Sequence, residues 1–177
     1  QKREEFKAVV EQKRTELKDR IEVKRTELKE RLQKVRDERK KQVVEKLDKR
    51  LDELNDKQVR HFTNVLDKLD KVLERIISRT DKAAERADVA SVRVAIDAAK
   101  AAIVSARAAV QAQAGKTYTI NITTEANLRA DVAAARKALH DDLDRVREVV
   151  KAAREAVHKA ATTLAQIPRV DEEPVAT

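Results

Sequence analysis

The chain has 177 residues, of which 40 are Lys or Arg and 32 are Asp or Glu, so its formal net charge is +8. It contains one Gly, no Cys, no Met, no Trp and only three aromatic residues. Tight turns and phosphate-cradling loops need glycine, so this composition excludes all-β, Rossmann and P-loop folds. The lack of Cys excludes disulfide scaffolds, thiol nucleophiles and cysteine zinc sites.

The first 86 residues contain neither Gly nor Pro and repeat with a period of eleven residues. Every eleventh position from Val10 to Ile76 is apolar, and the hexapeptide that begins at Lys13 recurs at Lys24. Eleven residues in three turns is about 3.67 residues per turn, which is close to the α-helical value. The pattern therefore predicts one continuous helix over about residues 2–86.

The positive charge is concentrated at the beginning of the chain. Residues 1–42 hold 16 basic and 10 acidic groups, a net charge of +6, and their apolar stripe is narrow. From Val43 onward the stripe broadens, as expected for a helix with several neighbours. We predict a basic arm at 1–42 that projects from a helical bundle at 43–167. Its candidate polyanion-binding residues are Lys13, Arg14, Lys24, Arg25, Arg39, Lys40 and Lys41.

Alanine dominates the second half of the chain, where two further helices are predicted. Asp88 is a candidate N-cap for a helix over about 89–114, and Gly115 suits a left-handed C-cap. The third helix covers about 125–167, and the Pro-flanked acidic tail at 168–177 is typical of extended chain. The predicted fold is an all-α, antiparallel three-helix bundle with one extended connector at 116–124.

In the connector, the larger apolar or aromatic residues Tyr118, Ile120 and Ile122 alternate with Thr or Asn, which is the period of a strand. Its backbone edge could pair with the same segment in another copy, and the narrow seam of the arm could pack against another helix. Asn121 begins a formal glycosylation sequon. The candidate assembly residues are Tyr118, Ile120, Ile122, Val10, Leu17, Ile21, Leu28 and Leu32.

Two side-chain pairs on the third helix have spacings that catalysis or metal binding can use. His140 precedes Asp144 by one turn, and Glu155 precedes His158 by three residues. A di-metal bundle site needs two Glu-His pairs and two further carboxylates, and a nucleophile at a useful spacing is missing. We therefore predict no catalytic, cofactor or metal site. No apolar run reaches the ~18 residues of a membrane span.

The repeat at residues 10–86 resembles the eleven-residue repeats of exchangeable apolipoproteins and late-embryogenesis-abundant proteins. The long charged helix, the Ala-rich helices and the connector from Gly115 to Glu125 resemble uncharacterised, predicted secreted helical proteins of candidate-phyla bacteria. That resemblance implies an extracytoplasmic setting and supplies no binding or catalytic residues. The start at Gln1 without any Met is also what a removed leader would leave, although a cytoplasmic location stays open.

Two functions follow from these patterns. The first is a non-enzymatic structural protein that assembles into a homo-oligomer or fibre, because the longer third helix leaves an apolar edge beyond the second helix. The alternative is a binding module whose basic arm grips an anionic surface, such as lipid, cell-wall polymer or nucleic acid, without specific nucleic-acid recognition. Salt distinguishes the two, since it weakens charge contacts and leaves apolar seams intact.

Overall fold

The computed structural model describes residues 2–167, and the expected tail at 168–177 lies outside this range. The helices within it are α1 (Lys2–Leu32), α2 (Glu38–Ala83), α3 (Ala90–Ala114) and α4 (Leu128–Ala165). No β-strand occurs among the described residues. The all-α fold is therefore confirmed, but residues 2–167 form four helices where the sequence predicted three.

The additional helix results from a break at residues 33–37. Val35 is only 2% exposed, and its N–H donates to the carbonyl three residues earlier at 3.0 Å. The Asp37 carboxylate accepts the backbone N–H groups of Arg39 at 2.9 Å and Lys40 at 3.3 Å, which caps α2. The prediction of one continuous helix is wrong because burial and capping stabilise a turn that contains neither Gly nor Pro.

The break also shifts the phase of the eleven-residue repeat. In the series that starts at Val10, Val10 and Leu32 are buried and Ile21 is half-buried, but the next members, Val43 and Leu54, are 54% and 43% exposed. Val44, the residue after Val43, is buried instead. A helix that starts anew at the turn presents a different face to the core, so Val43 lies on the surface of α2.

The chain divides into two compact units. Unit 1 is Gln1–Thr63 with Ala109–Arg147, and unit 2 is Asn64–Ala108 with Glu148–Thr177. Helices α2, α3 and α4 each contribute a segment to both units. Unit 1 also contains α1 and the non-helical connector, which are absent from unit 2.

In unit 2 the segments of α2 and α3 run antiparallel. Arg107 pairs with Asp70, and near the other end Arg93 is 3.9 Å from Asp81. The Asp88 carboxylate accepts the backbone N–H two residues later at 2.9 Å, so the predicted N-cap of α3 is confirmed. The core includes Leu66, Leu73, Ile76, Val92, Ile96, Ala99, Ile103, Ala106, Val150, Ala153, Val157, Ala160 and Leu164.

In unit 1, α1 folds back along the first part of α2. Arg14 pairs with Asp56 of α2, and Arg25 lies 2.9 Å from Asp52, so the two helices are antiparallel. The apolar stripe of α1 is buried, with Phe6, Val10, Leu17, Leu28 and Leu32 all less than 8% exposed. The expectation of a projecting arm is wrong, because the turn at 33–37 folds α1 back along α2. The stripe of α1 is then buried, and its arginines meet the acidic face of α2 formed by Asp48, Asp52 and Asp56.

The end of α3 also differs from the expectation. Gly115 follows the last helical residue, and its N–H donates to the carbonyl three residues earlier at 3.2 Å. Its φ lies outside the left-handed region, and a Cβ placed there would meet no atom closer than 3.7 Å. The predicted left-handed C-cap is therefore wrong. Non-helical chain continues from Lys116 to Asn127, and α4 begins at Leu128.

Candidate functional site

The connector at 116–124 lies against α2, which binds its backbone through polar side chains. Asp48 Oδ1 accepts the backbone N–H of Ile120 at 2.8 Å, and Asn55 Nδ2 donates to the carbonyl of Lys116 at 3.3 Å. Asp48 and Asn55 are 1% and 4% exposed. These side chains satisfy backbone groups that a neighbouring strand would otherwise bind. The connector is therefore an internal element of unit 1.

Arg25 of α1 pairs with two carboxylates of α2 beside the connector. Its Nε is 3.2 Å from Asp48 Oδ2, and its Nη2 is 2.9 Å from Asp52 Oδ2. Burial raises the pKa of the Asp52 carboxyl, while Arg25 and the backbone N–H of Tyr118 partly oppose this rise. One guanidinium from α1 thus stabilises two acids that would otherwise repel each other.

A second group of side chains anchors the connector to α3 and α4. Gln113 Nε2 donates to Asn55 Oδ1 and to the Tyr118 hydroxyl, both at 2.8 Å. The Tyr118 hydroxyl donates in turn to Asp142 Oδ2 at 2.7 Å. Gln113, Asn55 and Tyr118 are all less than 7% exposed, so this network faces the interior. Its geometry stabilises the fold and presents no reactive group at an open surface.

The two acids of this network are held in opposite protonation states. Burial, together with the hydrogen bond to Asp142, raises the pKa of Tyr118 well above its usual 10.0. Burial alone would raise the pKa of Asp142, but hydrogen bonds from Lys116 and Tyr118 outweigh it and lower that pKa. At neutral pH a neutral phenol therefore donates to an ionised carboxylate, which also accepts Lys116 Nζ at 2.9 Å.

The residues predicted to mediate assembly lie almost entirely inside unit 1. Tyr118, Ile120 and Ile122 are 6%, 2% and 5% exposed, and Ile21 is half-buried. The remaining candidates are buried in the stripe of α1: Val10, Leu17, Leu28 and Leu32. Buried side chains cannot form a contact between copies unless the unit opens, so these residues do not offer an exposed assembly surface.

Three of the predicted polyanion-binding residues are engaged within the chain. Arg14 pairs with Asp56, Arg25 bridges two carboxylates of α2, and Lys24 Nζ donates to Thr117 Oγ1 at 2.8 Å. Arg14 and Arg25 occupy equivalent positions of the eleven-residue repeat. The repeat thus places one guanidinium per period against the acidic face of α2.

The other predicted cations lie nearer the surface. Lys13 is half-buried and Arg39 is exposed. Lys41 pairs with a carboxylate three residues earlier at 2.5 Å, and Lys40 Nζ is 4.0 Å from the Asp37 carboxylate. The cations near the start of α2 are therefore the better placed for contact with an external anion.

A groove of about 690 Å³ opens beside these cations, between the first turns of α2 and α4. Sequence reasoning assigned Arg39 and Lys40 to the arm and missed Arg129 and Arg136, which line the same groove from α4. In the sequence, the seven-residue spacing of Arg129 and Arg136 places both on one face of a helix, which could have indicated a basic surface there. The lining residues are Arg39, Lys40, Val43, Val44, Leu47, Glu125, Ala126, Leu128, Arg129, Val132, Ala133 and Arg136.

The histidine pairs on α4 lie on its exposed side. His140 Nδ1 is 2.8 Å from Asp144 Oδ2, and the two side chains are 74% and 45% exposed. Glu155 and His158 are also exposed. Within residues 2–167, no three His, Asp or Glu side chains are grouped so that they could hold a metal ion.

Comparison with other proteins does not point to a role. No protein-family model, curated protein or solved structure matches this chain. None of the described helices is long and apolar enough to span a membrane.

Proposed function

We propose that this chain is a non-enzymatic structural protein that self-associates through the outer face of α3, with a homodimer as its smallest assembly. The observation that carries the proposal is the apolar character of that face. Between residues 90 and 108, eleven residues are exposed and six of them are Ala or Val. Val94 and Val104 are 71% and 64% exposed, the highest values for large apolar side chains in the described chain.

The neighbouring helical segments of unit 2 have the charged outer faces expected of solvated helices. In α2, ten residues between 64 and 83 are exposed, of which seven are charged and only Val72 is apolar. In α4, five of the nine exposed residues between 148 and 165 are charged. The face of α3 carries three charges among eleven exposed positions, which is typical of a surface that another molecule covers.

A second copy of α3 fits this face in an antiparallel arrangement. Val94, Ala98, Ala101 and Ser105 follow one another at steps of four and three, and small side chains allow two helix axes to approach closely. A twofold axis near Ala98 would set Asp97 of one copy opposite Lys100 of the other. Such an isologous contact is self-complementary and closes at two copies.

Two further observations bear on the choice between functions. The pairing of Arg14 and Arg25 with α2 removes support from the alternative in which a basic arm grips an anionic surface. The resemblance to predicted secreted helical proteins supports an extracytoplasmic setting for the structural role. A fibre would need a second contact besides the α3 face, because the isologous contact alone stops at a dimer.

Sedimentation equilibrium at tens of micromolar tests the proposal. The expected mass is twice the 20.0 kDa of the chain, and it should persist at about 0.5 M salt because the contact is mainly apolar. Ala98→Glu places two carboxylates beside the twofold axis and should return the protein to monomer. The control is Ala152→Glu, the same change at an exposed alanine of α4.

The outcome that contradicts self-association is simple. A wild-type particle of 20.0 kDa at every concentration and salt would exclude it. A dimer that Ala98→Glu leaves intact would exclude the α3 face as its interface.

A further inference from the structure

The groove between the first turns of α2 and α4 combines an apolar floor with cations on both sides. We propose that it binds an acidic amphipathic helix of a partner protein, whose apolar stripe lies on the floor while its carboxylates face the cations of both rims. This site is separate from the α3 face and does not depend on self-association.

The floor offers apolar surface that is already open to solvent. Val43 is 54% exposed, and Leu47 and Val132 are half-buried. Val44 and Leu128, at 4% and 7% exposed, form the base between the helices. A partner that covers these side chains removes apolar area from water without first opening the fold.

The rims carry four exposed cations, two from each helix. Arg39 and Lys40 stand on α2, and Arg129 and Arg136 stand on α4. Among residues 2–167, no hydrogen-bond or ion-pair partner is found for the side chains of Arg39, Arg129 and Arg136. Glu125 is the one acidic residue in the lining, and its carboxylate accepts a backbone N–H of the 33–37 turn at 3.2 Å.

The size and charge pattern favour a helix over an acyl chain. The lining residues extend over two turns of each helix, from 40 to 47 and from 129 to 136, which is about 10 Å. Two turns of a third helix fit that length, and acidic residues on either side of its apolar stripe match cations on both rims. An extended long-chain fatty acid is longer and has its charge at one end only.

The partner is a different protein and not a second copy of this chain. By count of Lys, Arg, Asp and Glu, α1 and α2 are each +3, and α3 and α4 are each +2. Each of these helices carries net positive charge, so in the groove it would bring like charges together, which is unfavourable. The chemistry of the rims calls for a helix that carries net negative charge.

The test uses the full chain and fluorescence anisotropy of labelled helical peptides. The probe has Leu at i, i+3, i+4 and i+7 with Glu on both flanks, and the control probe has Lys in place of each Glu. We expect the acidic probe to bind at least about tenfold more tightly than the Lys probe, and raised salt to weaken it.

Matched variants locate the binding. Arg129→Glu with Arg136→Glu should weaken the acidic probe at least about tenfold, because it turns attraction into repulsion on one rim. Arg75→Glu with Arg154→Glu makes the same charge change at exposed sites of unit 2 and should leave affinity within about twofold. Val43→Gln should weaken binding several-fold while circular dichroism shows an unchanged melt, because Val43 is largely exposed.

Three results would overturn the inference: equal binding of both probes, affinity that Arg129→Glu with Arg136→Glu does not change, or binding of palmitate at this groove without binding of the acidic probe. The last result would assign the groove to an acyl-chain ligand. Retention of probe binding by Ala98→Glu is expected, and it separates this inference from the proposed self-association.

Discussion

Tyr118 is the only tyrosine of the chain, and its hydroxyl joins three elements of unit 1. It belongs to the connector, accepts a hydrogen bond from Gln113 of α3 and donates one to Asp142 of α4. Burial and the nearby carboxylate favour the neutral phenol, which raises the pKa of Tyr118. Loss of this proton would therefore remove one of the contacts that hold the connector, whose backbone is also bound by Asp48 and Asn55.

The proton on Tyr118 makes folding sensitive to alkaline pH. The unfolded phenol ionises near its usual pKa of 10.0, whereas the folded phenol keeps its proton to higher pH. Above pH 10.0 the unfolded state therefore holds fewer protons than the folded state, so the free energy of unfolding should fall as pH rises until the folded phenol also ionises. Because Tyr118 is the only tyrosine and the chain has no Trp, the ultraviolet absorbance of tyrosinate reports the ionisation of Tyr118 alone.

Tyr118→Phe provides the control for this prediction. The variant loses two hydrogen bonds, and its stability between about pH 9 and pH 11 should lack the phenol contribution. A native phenol that ionises near pH 10.0, like a free tyrosine, would contradict the buried network.

At the scale of the element, α1 shows how a heavily charged helix with a narrow stripe can still be packed. Its inward positions follow the eleven-residue repeat, and Arg14 and Arg25 pair with the acids of α2. A narrow stripe is sufficient because α1 lies along one side of unit 1 and keeps a wide charged face in water. The helix therefore contributes to the core of unit 1.

Leu28→Ala tests whether α1 is packed. Leu28 is 3% exposed, and its truncation leaves a cavity, so we expect a loss of about 2–5 kcal/mol in the free energy of unfolding, measured with urea. Val23→Ala, at a position on the same helix that is 61% exposed, should change it by less than about 0.5 kcal/mol. Equal, small effects at both positions would indicate that α1 projects into solvent.

At the scale of the whole molecule, the net charge of +8 is spread unevenly over the surface. The outer faces of α2 and α4 in unit 2 are dominated by charges, which favour solvation. The outer face of α3 is the exception, and an apolar face with self-complementary flanks favours association of identical chains. Self-association should then be visible in the stability of the protein.

The melting temperature of the wild-type protein should rise with protein concentration. Dimers form from folded chains only, so mass action stabilises the folded state as concentration increases. Differential scanning calorimetry over a hundredfold range of concentration measures this shift. Ala98→Glu should melt at one temperature throughout the range, and a wild-type melt that is independent of concentration would count against the dimer.

Some features follow from short stretches of sequence. The helical period and the near absence of Gly predict an all-α chain, and Asp88 marks the start of α3 by its local capping chemistry. The turn at 33–37 is different, because it combines the Asp37 cap of α2 with a Val35 that other parts of the chain bury. Neither Gly nor Pro marks that turn, so local pattern predicts a helix that continues.

The candidate binding residues likewise depend partly on the sequence and partly on the tertiary structure. The basic residues of the repeat are evident from the sequence, yet which of them pair internally depends on where the acids of α2 lie after α1 folds back. Arg25 forms ion pairs with Asp48 and Asp52. Arg39 and Arg129, which are far apart in the sequence, line one groove. Sequence spacing within one helix cannot show such a meeting.

The amino-acid sequence by itself determined the helical class, the eleven-residue stripe and the concentration of charge at the beginning of the chain, since these are properties of neighbouring residues. The tertiary structure alone decided that the stripe of α1 is buried, that the connector lies inside unit 1 and that the α3 face and the groove remain open. The physical reason is that burial depends on which faces meet, and that choice is made by contacts between residues far apart in the chain.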